Sequence, residues 1–191
     1  MAPRTGTPPM ALKATIYKAE LQIADMDRGY YATHNLTLAR HPSETDERMM
    51  VRLLAFALFA EEGLASGKGL CVDDEPDLWL RDLTGHIRRW IDVGQPDEKW
   101  IRKACNRADG VVILSYGRAA DIWWQGVRDK LARQDKLTVL KLPPETAPAL
   151  AELTERSMRL QFTIQDGQMW VTDGQRTVQV EPETLQGGPR A

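Results

Sequence analysis

Two aspartates, Asp77 and Asp92, lie at equal distances on either side of Thr84-Gly85 in the segment PDLWLRDLTGHIRRWIDVG. If Thr84-Gly85 forms the turn of a β-hairpin, the two side chains stand opposite each other on the same face of neighbouring strands. Facing carboxylates repel each other unless a cation or a shared proton lies between them. The spacing therefore predicts a divalent-metal site. The simpler interpretation is a pair of solvent-facing acids at strand ends.

The same hairpin register places Trp79 opposite Trp90 and Arg81 opposite Arg88 on the aspartate face. The other face carries the apolar residues Leu78, Leu80, Ile87 and Ile91, which predicts that it packs on the core. The two indoles either stack an exposed base or pack against each other across the strands. His86 lies at the turn, about seven residues or roughly 23 Å of extended strand from either aspartate, and is excluded from their site.

A third carboxylate, Glu47, lies at the edge of a helical apolar stripe formed by Met50, Leu54, Ala57 and Leu58. A carboxylate that faces inward must be paired, protonated or bound to a metal ion. Glu47 is therefore a candidate third metal ligand. The alternative is a first-turn glutamate paired with Arg48 or Arg52.

Two lysines, Lys99 and Lys103, lie four residues apart on the helix predicted to follow Asp92. Lys103 adjoins the apolar side of that helix, and from there its ammonium could return toward the carboxylates. A lysine in that position could polarise a phosphate or help to deprotonate water. The alternative is a solvated lysine on a helix surface.

The elements that must position these residues follow from the apolar periodicity. Alternation in ALKATIYKAELQIAD and YYATHNLTLAR predicts two strands joined by a turn at Asp27–Gly29. The strongest helical pattern covers residues 41–63, with Ser43 as its N-cap. After the aspartate hairpin we expect helix 96–109, strand 110–115, helix 119–134, strand 137–142 and a short helix over 147–154.

The strand-helix-strand order in this region implies a right-handed crossover and parallel pairing. Turns at Asp166-Gly167 and Asp173-Gly174 predict an antiparallel meander near the end of the chain. We expect one mixed α/β domain over residues 10–182, a disordered leader over 1–9 and a frayed tail over 183–191.

The composition narrows the classes of function. With 191 residues, 42% hydrophobic and 27% charged, and a net charge of −2, the chain resembles an ordinary soluble globular protein rather than a strongly basic nucleic-acid coat. No apolar run is long enough to span a membrane, and MAPRTGTPP lacks the core of a secretory signal, so we expect no membrane association and a cytoplasmic location. Only two cysteines, Cys71 and Cys105, are present, which disfavours a disulfide framework or a structural zinc site.

The order of elements resembles that of the PD-(D/E)XK nuclease superfamily: a helix with Glu, a hairpin with two acids, a helix with Lys, and then a strand. The segments MALKATIYKAELQIAD, HPSETDERMM and LCVDDEPDLWL are more narrowly similar to the YaeQ family, whose fold is related to those nucleases. Pro76-Asp77 matches the PD element, Asp92 the first acid of the second element, and Glu47 the helical acid. Gly94 stands where that element would carry its lysine.

The resemblance implies a three-layer, restriction-endonuclease-like fold with a mixed central sheet flanked by helices. It also implies a Mg²⁺- or Mn²⁺-dependent phosphodiesterase. Glu47, Asp77 and Asp92 would hold the metal ion, and Lys103 would replace the missing lysine. Nucleic acid is the implied partner, and its phosphates would meet a cationic rim comprising Arg81, Arg88, Lys99, Arg102, Lys103 and Arg107.

Three functions remain open from the sequence, one of them a structural or interaction protein that binds no metal ion and carries these acids on its surface. Asp77, Asp92 and Glu47 favour an active nuclease, whereas Gly94 favours a nuclease-like protein of weak or lost catalysis that binds nucleic acid or regulates a partner. The sequence leaves the oligomeric state undetermined.

Overall fold

The computed structural model describes residues 13–68 and 74–188, so that Cys71 and the leader over residues 1–9 lie outside the described part. The described chain forms two mixed sheets and four helices. The strands are β1 (Thr15–Asp25), β2 (Tyr30–Arg40), β3 (Ala65–Ser66), β4 (Leu78–Arg81), β5 (Ile87–Val93), β6 (Ala108–Ser115), β7 (Leu137–Lys141), β8 (Ser157–Gln165), β9 (Gln168–Thr172), β10 (Thr177–Val180) and β11 (Glu183–Gln186). The helices are α1 (Asp46–Leu58), α2 (Glu98–Arg107), α3 (Ala120–Leu131) and α4 (Thr146–Ala151). None of the helices in these residues has the length and apolarity that a membrane crossing requires.

The first sheet combines the two ends of the chain in the order β10-β9-β8-β1-β2. β1 and β2 form the predicted hairpin, and β8 joins β1 in parallel. The predicted meander is confirmed, because β8 and β9 flank the turn Asp166-Gly167, where both residues have positive φ angles. The meander therefore completes a separate sheet.

The second sheet carries the strands around the two aspartates, in the order β11-β7-β6-β5-β4-β3. β5, β6 and β7 are parallel and are connected through α2 and α3, as the strand-helix-strand pattern predicted. β4 runs antiparallel to β5 and begins at the edge of the sheet where the parallel strands end. This edge brings together the start of β4 and the carboxyl ends of β5 and β6.

α1 is buried along most of its length because side chains from both sheets share one core with it. Every residue from Met49 to Leu58 is buried, so that the buried surface of α1 extends well beyond the predicted apolar stripe. Thr45 caps it by accepting a hydrogen bond from the backbone N–H of Arg48, whereas the predicted cap Ser43 lies before the helix. α2 and α3 contribute to a second core on the other side of the second sheet.

The aspartate hairpin has the predicted register near the site and a different one near its turn. Trp79 pairs with Trp90 as expected, but Arg81 pairs with Ile87 instead of Arg88. The register shifts between Leu80 and Arg81, so that the β5 strand carries an extra residue, a β-bulge. Sequence alternation contains no signal for this bulge.

The turn of this hairpin also differs from the predicted two-residue turn. The backbone N–H of Asp82 donates to the carbonyl oxygen of His86, and the Asp82 carboxylate accepts bonds from Thr84 and His86. An aspartate that satisfies its own turn in this way favours a longer loop.

The chain after Pro182 starts with an ordered strand, where we expected a frayed tail. β11 pairs antiparallel with β7 and thereby extends the second sheet at its outer edge. Its four residues alternate too little in hydrophobicity to be recognised from the sequence.

Candidate metal and phosphate site

The structure brings Asp77 and Asp92 together at the sheet edge. Asp77 immediately precedes β4, and its backbone N–H donates to Asp92 Oδ1 at 3.1 Å. The backbone N–H of Val93 donates to Asp77 Oδ2 at 2.9 Å, so each carboxylate is fixed by the backbone of the opposite strand. Both side chains are only 6% exposed. Two acids held this close and this deeply require positive charge or hydrogen bonds around them.

The second oxygen of Asp92 is held by two indoles. Trp90 Nε1 and Trp100 Nε1 each donate to Asp92 Oδ2 at 2.7 Å, and the two rings meet edge to face. Trp90 is fully buried in the core beside α2, which leaves it no surface for stacking a base. Its role is therefore to pack and to donate a hydrogen bond to a buried carboxylate.

Burial raises the pKa of Asp92, and repulsion from Asp77 raises it further. Hydrogen bonds from Trp100, Trp90 and the backbone of Asp77 act in the opposite direction, because they stabilise the ionised carboxylate. The net direction is upward, so Asp92 would gain from a nearby cation.

Arg48 provides a cation for the neighbouring Asp77. Its Nη2 donates to both carboxylate oxygens of Asp77, at 2.9 and 3.0 Å, and its Nη1 donates to Glu44 Oε1 at 3.1 Å. Burial alone would lower the pKa of Arg48, but the charges of Asp77 and then Glu44 outweigh it and raise the pKa. Arg48 is consequently a permanently charged partner of Asp77.

Glu44 anchors this arginine from the other side. It is buried and accepts two further bonds from Arg52, at 2.7 and 2.8 Å. Glu44, Arg48 and Arg52 are spaced four residues apart, as on one face of a helix, although Glu44 itself lies just before α1. The sequence reasoning paired these arginines with Glu47 as an alternative, whereas the structure pairs them with Glu44.

The two aspartates and Arg48 line a pocket of about 340 Å³. The other residues that line it are Val93, Gly94, Gln95, Pro96 and Tyr116. Gln95 Nε2 donates to Ser115 Oγ at 3.1 Å and to the carbonyl oxygen of Tyr116, which ties the loop after β5 to the end of β6. The pocket thus lies at the carboxyl ends of parallel strands, where α/β sheets commonly bind ligands.

Gly94 has a backbone reason to be glycine. Its φ angle is 101°, in a region that residues with a Cβ rarely adopt. A lysine at this position would strain the chain where β5 leaves the sheet. The backbone conformation thus accounts for the absence of a lysine two residues after Asp92.

The remaining predicted ligands lie around this pocket without lining it. Glu47 is half-buried in the first turn of α1, and its charge helps to raise the pKa of Tyr116, after burial and against Arg48. The Lys103 ammonium pairs with the exposed Asp74 and lies 5.4 Å from the centre of the Trp100 ring. Among the described residues, no three His, Cys, Asp or Glu side chains are grouped closely enough to enclose a metal ion.

The side chains predicted to contact nucleic acid are exposed, although two of them interact with neighbouring side chains. Arg81 lies over the Trp79 ring at 4.0 Å, and Arg88 lies at the bulge. On α2, Lys99 is exposed, and Arg102 pairs with Glu98. These cations therefore lie on the same helix that supplies Trp100 to the site.

Each aspartate has acceptor capacity beyond its described hydrogen bonds. An ionised carboxylate offers about four acceptor positions. Asp92 Oδ2 and Asp77 Oδ2 each accept two of the described bonds, whereas Asp92 Oδ1 and Asp77 Oδ1 each accept one. One position on each Oδ1 therefore fits a hard cation such as Mg²⁺ or Mn²⁺, which often binds through one or two carboxylates and retains water.

Comparison with known proteins places the chain among close relatives. The model of the family described as "YaeQ protein" matches residues 10–182. The YaeQ protein of Escherichia coli is 48% identical over 172 residues, which cover 90% of this chain and 95% of that protein. The crystal structure of the YaeQ protein from Xanthomonas axonopodis pv. citri is 52% identical, with a TM-score of 0.89, and the match covers 92% of this chain and 99% of that one. That of the YaeQ protein from Pseudomonas syringae is 36% identical, also with a TM-score of 0.89, over 93% of this chain and 98% of that one.

Proposed function

This chain belongs to the YaeQ family, and from the geometry of its aspartate pocket we propose that it is a metal-dependent phosphodiesterase acting on nucleic acid. The observation that carries the proposal is the buried pair Asp77 and Asp92, each with one free acceptor position, beside the guanidinium of Arg48. The proposal includes a fold of the restriction-endonuclease-like type, supported by the order of α1, the acid-bearing hairpin β4-β5, α2 and β6.

Asp77 and Asp92 would hold Mg²⁺ or Mn²⁺, and Glu47, in the first turn of α1, would complete or orient the metal shell. When bound, the metal ion would lower the pKa of a coordinated water and neutralise charge on the phosphate. Trp90 and Trp100 favour the ionised form of Asp92 and fix its orientation by donating to its other oxygen.

The reaction is the hydrolysis of one phosphodiester bond. A bond forms between the water oxygen and phosphorus, the ester P–O bond breaks, and one hydrogen of the water ends on the leaving hydroxyl group. The protein supplies position and charge to this step, which are the main requirements of phosphoryl transfer. Arg81, Arg88, Lys99 and Arg102 would bind flanking phosphates, and Lys103 would contribute charge from its place above Trp100.

Calorimetric titration of Mn²⁺ into the wild type and Asp77→Asn tests the metal site. Asparagine keeps the shape and one acceptor oxygen but removes the charge, so we expect metal affinity to fall at least about tenfold. Asp109→Asn is the matched control, since Asp109 is an exposed acid bonded to His86 at the opposite end of β5. Equal binding by all three proteins would remove the metal site from the proposal.

Cleavage of single-stranded, duplex and branched oligonucleotides of one sequence then tests the activity. We expect cleavage by the wild type and Asp109→Asn with Mn²⁺, and its loss in Asp77→Asn. The positive φ angle of Gly94, which disfavours a lysine at that position, and the pairing of Arg48 with Asp77 favour a second candidate, a nuclease-like protein that binds nucleic acid without cutting it. Metal-dependent oligonucleotide binding with no cleavage of any substrate would select that candidate.

A further inference from the structure

We propose that Arg48 is the phosphate-binding cation of this pocket, and that it becomes available to the phosphate when Asp77 passes to a metal ion. This inference rests on the proposed function. Within the described residues that line the pocket, Arg48 is the single cationic side chain. Arg48 therefore supplies the positive charge that a lysine at position 94 would have supplied.

Asp77 is the shared partner on which the inference depends. Its carboxylate accepts two bonds from Arg48 Nη2 and one from the backbone of Val93. Arg48 Nη2 contacts Asp77 Oδ1 at 2.9 Å. A divalent cation bound to the same oxygen would lie close to the guanidinium, and like charges at short distance repel each other. Metal binding and the Arg48–Asp77 ion pair are consequently in competition.

Glu44 keeps the released arginine in the pocket. It holds Arg48 Nη1 at 3.1 Å and is itself fixed by two bonds from Arg52, so the guanidinium retains an anchor when Asp77 is withdrawn. The Arg48 side chain is 20% exposed and faces the pocket. A guanidinium has five N–H donors in a planar fork, which suits the non-bridging oxygens of a phosphate.

Lys103 is less well placed for the same role. Its ammonium pairs with Asp74, and its contact with the site passes through the Trp100 ring. Arg48 contacts a site carboxylate directly and is held there from a helix that is buried between the sheets. Arg48 therefore assumes the phosphate-binding role that the sequence suggested for Lys103.

The competition can be measured without any substrate. Titration of Mn²⁺ by calorimetry should show about tenfold tighter binding to Arg48→Met than to the wild type, because a charge-assisted bond to Asp77 no longer opposes the metal ion. Arg48→Lys, which keeps the charge but not the fork, should bind Mn²⁺ with an affinity between the two. Arg40→Met is the matched control: Arg40 is similarly exposed and pairs with Asp46, outside the pocket, so its loss should leave Mn²⁺ binding unchanged.

The phosphate role is measured on the same proteins at saturating Mn²⁺. Arg48→Met should cut the cleavage rate of a single-stranded oligonucleotide about a hundredfold despite its tighter metal binding, whereas Arg40→Met should cleave as the wild type does. Circular dichroism of each variant serves as the control for correct folding. Arg48→Lys should recover part of the rate.

The outcomes separate this inference from the proposed function. Equal Mn²⁺ affinity in the wild type and Arg48→Met would overturn the inference alone, while Mn²⁺ binding by none of the proteins would overturn the proposed function and the inference with it. Loss of cleavage in Lys103→Ala with full cleavage in Arg48→Met would return the role to Lys103.

Discussion

Replacing Arg48 with methionine should destabilise the fold more than replacing Asp77 with asparagine, and the double variant should be more stable than Arg48→Met alone. Arg48→Met leaves the carboxyl group of Asp77 6% exposed and close to Asp92, with the backbone N–H of Val93 as its remaining described donor. Asp77→Asn leaves Arg48 with Glu44, and an asparagine oxygen can still accept from Val93. Arg48→Met should therefore lower the free energy of unfolding more than Asp77→Asn does.

The magnitudes follow from burial. Removing one partner of a buried ion pair costs about 3–5 kcal/mol, and the 20% exposure of the Arg48 side chain places Arg48→Met near about 3 kcal/mol. Asp77→Asn should cost about 1 kcal/mol, the typical value of a hydrogen bond. With a coupling energy of about 2 kcal/mol, the double variant should lie about 2 kcal/mol below the wild type.

Urea unfolding of the wild type, both single variants and the double variant at pH 7 measures this coupling. The pair of Arg40 with Asp46 is the control cycle, because Asp46 is 44% exposed and its coupling should stay below about 1 kcal/mol. A double variant whose loss equals the sum of the single losses would refute the claim that Arg48 and Asp77 neutralise each other, and the competition argument would fail with it.

Two further predictions concern backbone strain and pH. Gly94→Ala should lower the free energy of unfolding by about 1–3 kcal/mol because the φ angle at this position is 101°. Gly126→Ala should raise it by about 0.5–1 kcal/mol, because Gly126 lies within α3 with open space around a new Cβ. The melting temperatures of the two variants should therefore shift in opposite directions. Burial lowers the pKa of the half-buried His34, which is hydrogen-bonded to Tyr30. The contribution of neutral His34 to the stability of the fold is therefore fully present above about pH 6.5 and is lost as the pH falls through the lowered pKa. The melting temperature of His34→Gln should therefore fall less between pH 7.5 and 5.5 than that of the wild type, and equal falls would contradict this.

Much of the fold could be predicted from local patterns. The alternation in β1 and β2, the Asp-Gly turns of the meander and the strand-helix-strand order around β6 each encode one element and its neighbour. The division into two sheets could not be predicted in this way. It depends on the parallel pairing of β1 with β8, between segments separated by more than a hundred residues, for which no local periodicity carries information.

The aspartate pair could be found because a hairpin is a local structure. The observed loop includes Asp82 and His86 and is longer than the predicted two-residue turn, which by itself would shift the pairing of the strands by one residue. The bulge at Arg88 adds one residue to β5 and restores the predicted pairing beyond it. The error in the turn therefore changed the partner of Arg81 and left the partner of Trp79 unchanged.

Arg48 could not be assigned from the sequence for a different reason. The spacing of Glu44, Arg48 and Arg52 indicates one helix face, but it does not say which strand edge that face meets. That is decided by α1 lying between the two sheets, which directs its first turn toward the start of β4. Attention to inward-facing acids favoured Glu47, whereas the side chain of this turn that contacts Asp77 is Arg48.

Gly94 and Arg48 together explain how the pocket can lack the expected lysine and still contain a cation. The φ angle of Gly94 lets the chain turn from β5 into the Gln95–Pro96 segment, and from there into α2, which carries Trp100. A lysine at position 94 would oppose that turn and would thereby displace a donor to Asp92. A cation from α1 avoids this conflict, because it reaches Asp77 from a separate element. The same backbone conformation that excludes the lysine thus positions Trp100 on one aspartate, and the other aspartate obtains its charge partner from α1.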